Sequence, residues 1–157
     1  MWKTKNDFIL QKLLNFLFML FLFMPLVACS YTSRNAQIIH TQWDDNTEDG
    51  KYFIIDSVEE LTEYIATESE SRMSKYVENC NEEFFKNNSL VFVLISEGSG
   101  SVSHKLKDVK INGDVIDVTV KRKVPEIGTC DMAEWTVMFE ITKEEASNIK
   151  DVNLIQK

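Results

Sequence analysis

The sequence predicts an α+β domain, a mainly antiparallel β-sheet of about five to six strands with one main helix packed on it. Three observations carry this. Leu90–Ile95 is apolar without interruption, as in a strand covered on both faces. Asn112-Gly113 separates two strand-like runs, Ser101–Ile111 and Asp114–Val124, the composition of a tight hairpin. Ser57 to Thr67 places Val58, Leu61, Tyr64 and Ile65 on one face, the spacing of an amphipathic helix.

Each element has its own signal. Gln37–Trp43 contains Ile38, Ile39 and Trp43 and reads as a strand, and Lys51–Asp56, with Tyr52, Phe53, Ile54 and Ile55, reads as another. Ser57 and Glu60 have the spacing of a capping box at the start of the helix. Ser69–Cys80 is polar and is expected to be irregular, and Glu82–Lys86 is expected to form one helical turn that buries Phe84 and Phe85. In the hairpin, a type I′ turn at Asn112-Gly113 sets Val109 opposite Ile116. Val102, His104 and Leu106 alternate out of step with Val109 and Ile111, so a β-bulge is expected near Lys107-Asp108, restoring Leu106 to Val118. Trp135, Val137, Phe139 and Ile141 alternate strictly within Met132–Thr142, a half-buried strand. Thr142 and Glu145 make a second capping box for a short helix through Ile149, and Val152–Ile155 reads as a closing edge strand.

The first 36 residues stand apart from this pattern. Lys3, Lys5 and Lys12 precede an apolar run from Leu13 to Val27, broken by Asn15 and Pro25. A basic start and an apolar core of about 15 residues have the anatomy of a secretory signal. A membrane-spanning helix needs about 20 apolar residues. The run ends in Leu26-Val27-Ala28-Cys29, which resembles the bacterial lipobox. That resemblance implies cleavage before Cys29, acylation of its thiol and amino terminus, and a lipid anchor on the extracytoplasmic face of a cell membrane. The expected organisation is a signal peptide over 1–28, a lipidated tether over 29–36 and one α+β domain over 37–157.

The chain carries 17 Lys+Arg against 25 Asp+Glu, a formal charge of −8. An acidic domain repels phosphate backbones and anionic lipid, so nucleic acid is not an expected partner and membrane attachment is expected through the lipid on Cys29. With Cys29 used for lipid, Cys80 and Cys130 remain. Two cysteines in an exported domain predict a disulfide.

No residue set commits the chain to catalysis. Asp45, Asp49, Gly50 and Asp56 fall at positions one, five, six and twelve of a calcium loop, but Thr47 and the absence of a final Glu break the pattern; a solvated turn is the better reading. Cys130, Asp131 and His104 have no spacing that demands a thiol nucleophile, and with His40 and His104 as the only histidines a zinc site is poorly supplied. No metal or cofactor is expected. Gly98-Ser99-Gly100-Ser101 is followed by a strand rather than by the helix a phosphate loop needs.

From Leu90 onward the order is apolar strand, Gly-Ser loop, hairpin, Val124-Pro125-Glu126-Ile127-Gly128 and a Trp-bearing strand. This is similar to small extracytoplasmic lipoproteins of low-GC Gram-positive bacteria. It distantly resembles the C-terminal domain of the protease-complex accessory subunit PrcB over roughly 54–155. In that pattern the loop reads Thr-Gly-Gly-Tyr-Ser; Gly100-Ser101-Val102-Ser103 stands there in this chain, without the aromatic. The resemblance implies a non-catalytic module that contacts other exported proteins. The expected contact residues are Ser99, Gly100 and Ser101 on a glycine-rich loop, and Pro125, Ile127, Met132 and Trp135, apolar residues in or near a connection. The alternative for this second group is that they fold inward and cap the sheet. Alternative functions are a solute- or envelope-polymer-binding lipoprotein and, less favoured, an envelope enzyme.

Overall fold

The computed structural model describes residues 35–41, 43, 48–67 and 70–157. The signal peptide, Cys29 with most of its tether, and the Asp45–Thr47 part of the acidic turn lie outside the described residues. Seven strands and four helices follow one another among the described residues. They are β1 (Gln37–Thr41), β2 (Tyr52–Ile55), α1 (Val58–Thr67), α2 (Glu70–Val77), α3 (Glu82–Phe85), β3 (Asn88–Glu97), β4 (Ser103–Asn112), β5 (Val115–Lys123), β6 (Ala133–Thr142), α4 (Lys143–Asn148) and β7 (Asp151–Gln156). The fold is α+β and dominated by sheet.

The strands divide between two sheets, one ordered β1-β6-β3-β2 and the other β4-β5-β7. Pairing is antiparallel except between β5 and β7, which run parallel. Strand β3 explains the layering. Val91, Val93 and Ile95 meet Ile116, Val118 and Val120 of β5 between the sheets. Leu90 and Phe92 point the other way, toward Leu61, Met73, Val77 and Phe85 of the helical layer. An uninterrupted apolar run is what a strand needs when neither face meets water. Each such side chain contributes about 1.5–3 kcal/mol on burial, and Phe92, stacked on Tyr64 at 4.7 Å, lies among the largest.

Three local expectations need correction. Residues 70–77 are helical, not irregular. Met73, Tyr76 and Val77 are the i, i+3, i+4 triplet of an otherwise polar segment, and burial of Met73 and Val77 holds it against the sheet. The hairpin turn is centred one residue later than expected. Asn112 pairs with Val115, Ile111 with Ile116 and Val109 with Val118. Gly113 has φ +68° whereas Asp114 is not in the left-handed region, which fits a type II′ turn with glycine first. The bulge does fall between Leu106 and Asp108, but Leu106 pairs with Val120.

The disulfide is also corrected. Cys80 and Cys130 are both free thiols, one buried and one exposed. Cys80 packs with Val77 and Phe85 in the helical layer, near enough to Glu140 to feel its charge. The loop holding Cys130 is pinned at Asp131 to Gly100, at the other end of β6. At about 3.3 Å per residue along β6 the two lie on the order of 20 Å apart, and a disulfide needs Cα atoms within about 7 Å.

Among the described residues no helix is long and apolar enough to cross a membrane. The described acidic residues of this segment have separate partners. Strand β2 separates Asp49 from Asp56. Asp49 accepts from the Ser96 N–H and from Gln156, whereas Asp56 takes Ser89 and Lys143.

Candidate functional site

The two connections between the sheets, 98–102 and 124–132, leave the sandwich at one end, where Glu97 faces Ala133 and Ser103 faces Lys123. Hydrogen bonds join them. Gly100 N donates to the Asp131 carbonyl at 3.0 Å and to its carboxylate at 3.1 Å. Thr129 N donates to Ser99 Oγ at 3.0 Å and to Ser101 Oγ at 3.2 Å, and those two hydroxyls lie 2.8 Å apart. A hydrogen bond from the Thr129 side chain, then the Gly100 N–H, hold the Asp131 carboxyl below its ordinary range. A Cβ on Gly100 would overlap the Asp131 carboxylate, so a larger residue there would displace that carboxylate.

The structure therefore brings Ser99, Gly100 and Ser101 together with the Val124–Trp135 segment. It uses the serines and the glycine to fasten that segment, so the Gly-Ser loop is an anchored one. The apolar residues divide. Ile127 is 87% exposed and Met132 50%. Val124, which the site residues expected from sequence omitted, is 58% exposed. Pro125 is half-buried. Trp135 is half-buried on the inner face, its ring 4.7 Å from that of His40 and 5.7 Å from that of His104. Ile127 and Met132 thus stand clear of the core, whereas Trp135 belongs to its edge.

Behind these loops lies a buried polar cluster that sequence reading missed. Glu97, 5% exposed, receives Arg122 Nε at 2.6 Å and Nη2 at 2.7 Å. His104 Nε2 lies 2.8 Å from the same carboxylate. A carboxylate only accepts, so Nε2 is the donor, and in the neutral ring Nδ1 is then the bare nitrogen. Neither His104 Nδ1 nor Trp135 Nε1 has a hydrogen-bond partner among the described residues. The signal was present in the alternation, since Arg122 continues the inward series of Val118 and Val120, and His104 continues that of Leu106.

The chain enters the fold at the far end. Asn35 Nδ2 donates to Glu140 Oε1 at 3.2 Å. From Glu140 back to Ala133 the strand spans roughly 23 Å. Among the described residues no group of three or more His, Cys, Asp and Glu side chains is placed to hold a metal ion. No family model, curated protein or solved structure matches the chain.

Proposed function

We propose that this protein is an extracytoplasmic lipoprotein, anchored through acylated Cys29, and that its domain is a non-catalytic module for an exported or envelope protein, bound at the loop end. One observation carries the reading. Val124, Ile127 and Met132 are exposed large apolar side chains on a single segment that hydrogen bonds hold in place. Exposed aliphatic groups on a fixed backbone serve as anchors at low entropic cost. The described chain begins beside Glu140, at the opposite end of β6 from these anchors, which is compatible with that reading. The lipobox-like Leu26-Val27-Ala28-Cys29 and the likeness to PrcB over 54–155 agree with it.

The test uses the full chain in the producing cell, with a photo-crosslinking side chain at position 126, beside Ile127. A crosslinked exported protein is expected, and Ile127→Ser with Met132→Ser should abolish that product while leaving the melting temperature within about 1–2 °C, since exposed positions contribute little to stability. A persistent crosslink in the double variant, or a large fall in melting temperature, overturns the site. Mass spectrometry of the mature protein should find an acylated amino-terminal Cys29; an unmodified chain beginning at Met1 overturns the anchor.

A further inference from the structure

We infer that the outer face of the β4–β5 hairpin is a second, independent binding surface, and that its ligand is a linear polyanion whose charges are phosphodiesters. The chain as a whole is −8. Residues 103–123 nonetheless carry six Lys+Arg and three Asp, a formal +3. The folding of the hairpin concentrates this charge. Lys107, Lys110, Lys121 and Lys157 line an open depression of about 390 Å³ with Asp108 and Thr119. The bulge between Leu106 and Asp108 leaves Lys107 without a partner on β5. A bulge bends its strand and re-aims the side chains on it.

The charge is available. Lys110 is paired with Asp108 at 2.9 Å. Lys107 and Lys121 are exposed and have no carboxylate partner among the described residues. Asp108 is the only acidic side chain in the lining. Ammonium groups of like sign gathered on an acidic molecule repel one another, and an anion entering among them relieves that repulsion.

The lining also selects the kind of anion. No apolar side chain contributes to it, so it lacks the anchor that a peptide or folded protein buries at the centre of an interface. It contains no aromatic ring, so it offers nothing for a base to stack on, as single-stranded nucleic acid requires. A bilayer is flat, and the depression is concave. Its cations are lysines, which hold phosphate as point charges, with no arginine fork for bidentate capture of a single group. A flexible chain of repeating singly charged groups meets these conditions, with the Thr119 hydroxyl as an additional donor, and the polyglutamate arm of the titration separates phosphodiesters from carboxylates.

The experiment titrates the full chain, in an uncharged detergent, with a short abasic deoxyribose-phosphate oligomer. Polyglutamate of matched charge and vesicles containing anionic phospholipid are the parallel arms. Saturable binding is expected at low ionic strength, with affinity falling linearly in log–log form as salt rises. Lys107→Ala with Lys121→Ala should lower that salt slope by about 1 per lysine removed. Lys51→Ala with Lys75→Ala, equal in charge but elsewhere on the molecule, should leave it unchanged. Asp108→Asn should tighten binding a few-fold. Absence of binding to the abasic oligomer, equal loss in the two double variants, equal binding of polyglutamate, or binding to vesicles alone would each overturn the proposal. None of these outcomes bears on Ile127 or Met132, so the loop-end reading stands or falls separately.

Discussion

Arg122 of β5 holds Glu97 of β3 through two parallel hydrogen bonds, Nε to Oε1 at 2.6 Å and Nη2 to Oε2 at 2.7 Å. The two strands belong to different sheets, so this ion pair ties the layers together under the loops that carry the candidate site. Glu97 is 5% exposed and the Arg122 side chain 39%. Removing the carboxylate leaves an arginine that water reaches in part, so Glu97→Ala should cost about 2–3 kcal/mol, below the usual loss for a fully buried pair. Urea unfolding should show the midpoint lowered with its slope unchanged. An unaltered midpoint would mean that the sheets are joined by apolar packing alone.

The same cluster makes stability depend on pH. His104 lies below its ordinary value of 6.5, first because burial disfavours the imidazolium and then because Arg122 repels it, with Glu97 opposing both. In the unfolded chain the ring takes a proton near pH 6.5, and in the fold only at lower pH. Acid below 6.5 therefore favours the unfolded state. Glu97 is held below its ordinary 4.5, first by the hydrogen bond from Arg122. Its contribution is present above 4.5 and is lost as pH falls through the folded value. The melting temperature should accordingly begin to fall below about 6.5 and fall further in the carboxylate range. In His104→Gln the first fall should vanish and the second remain. A wild-type curve flat down to 4.5, or a first fall that persists in His104→Gln, would overturn this assignment.

Much of this architecture could be read from pattern, and what could not has a physical reason. Leu90–Ile95 announced a strand with two covered faces because an uninterrupted apolar run fits little else at that length. The bulge could be read because Leu106 and Val109 are out of phase for one ladder. The division into two sheets could not be read, since β3 and β5 look alike whether they pair in one sheet or pack face to face. The turn register failed because Asn112-Gly113 and Gly113-Asp114 are both acceptable turn dipeptides, and the pairing of Ile111 with Ile116 decided between them. At the site, the exposure of Ile127 and the inward placing of Trp135 depend on hydrogen bonds between two connections about 30 residues apart in sequence. Local composition pointed to the segment but carried no information on which of its apolar residues face water.

Gly100 and Asp131 should behave as a coupled pair. The Gly100 N–H reaches the Asp131 carboxylate at 3.1 Å, and a Cβ on Gly100 would overlap that carboxylate. Gly100→Ala should push the carboxylate aside and break the bond, for about 1–2 kcal/mol. Asp131→Ala removes the bond and the obstruction together, so adding Gly100→Ala to it should cost little. The double-mutant cycle should show a coupling of about 1 kcal/mol. Additive losses would mean that the two connections are fastened elsewhere, through Thr129 and the serines.

The two described cysteines should differ sharply in reactivity. The Cys80 thiol is pushed up to about 11, first by burial and then by the charge of Glu140. Alkylation requires the thiolate and access to it, and Cys80 is only 9% exposed. Cys130 is exposed in the 124–132 connection. Iodoacetamide at mildly alkaline pH should therefore label Cys130 in the native protein and leave Cys80 intact, and both should react in denaturant. Peptide mapping under non-reducing conditions reads the two sites separately and is indifferent to the state of Cys29. Recovery of a Cys80–Cys130 disulfide peptide would show that the helical layer and the loop end can meet, which the fold does not allow. Labelling of Cys80 at the rate of Cys130 would show that α2 and α3 open readily from the sheet. Cys80→Ser provides an independent check. It places a hydroxyl among Val77, Phe85 and Met138, and should lower stability by about 1–2 kcal/mol, whereas Cys130→Ser should leave the unfolding midpoint where it was.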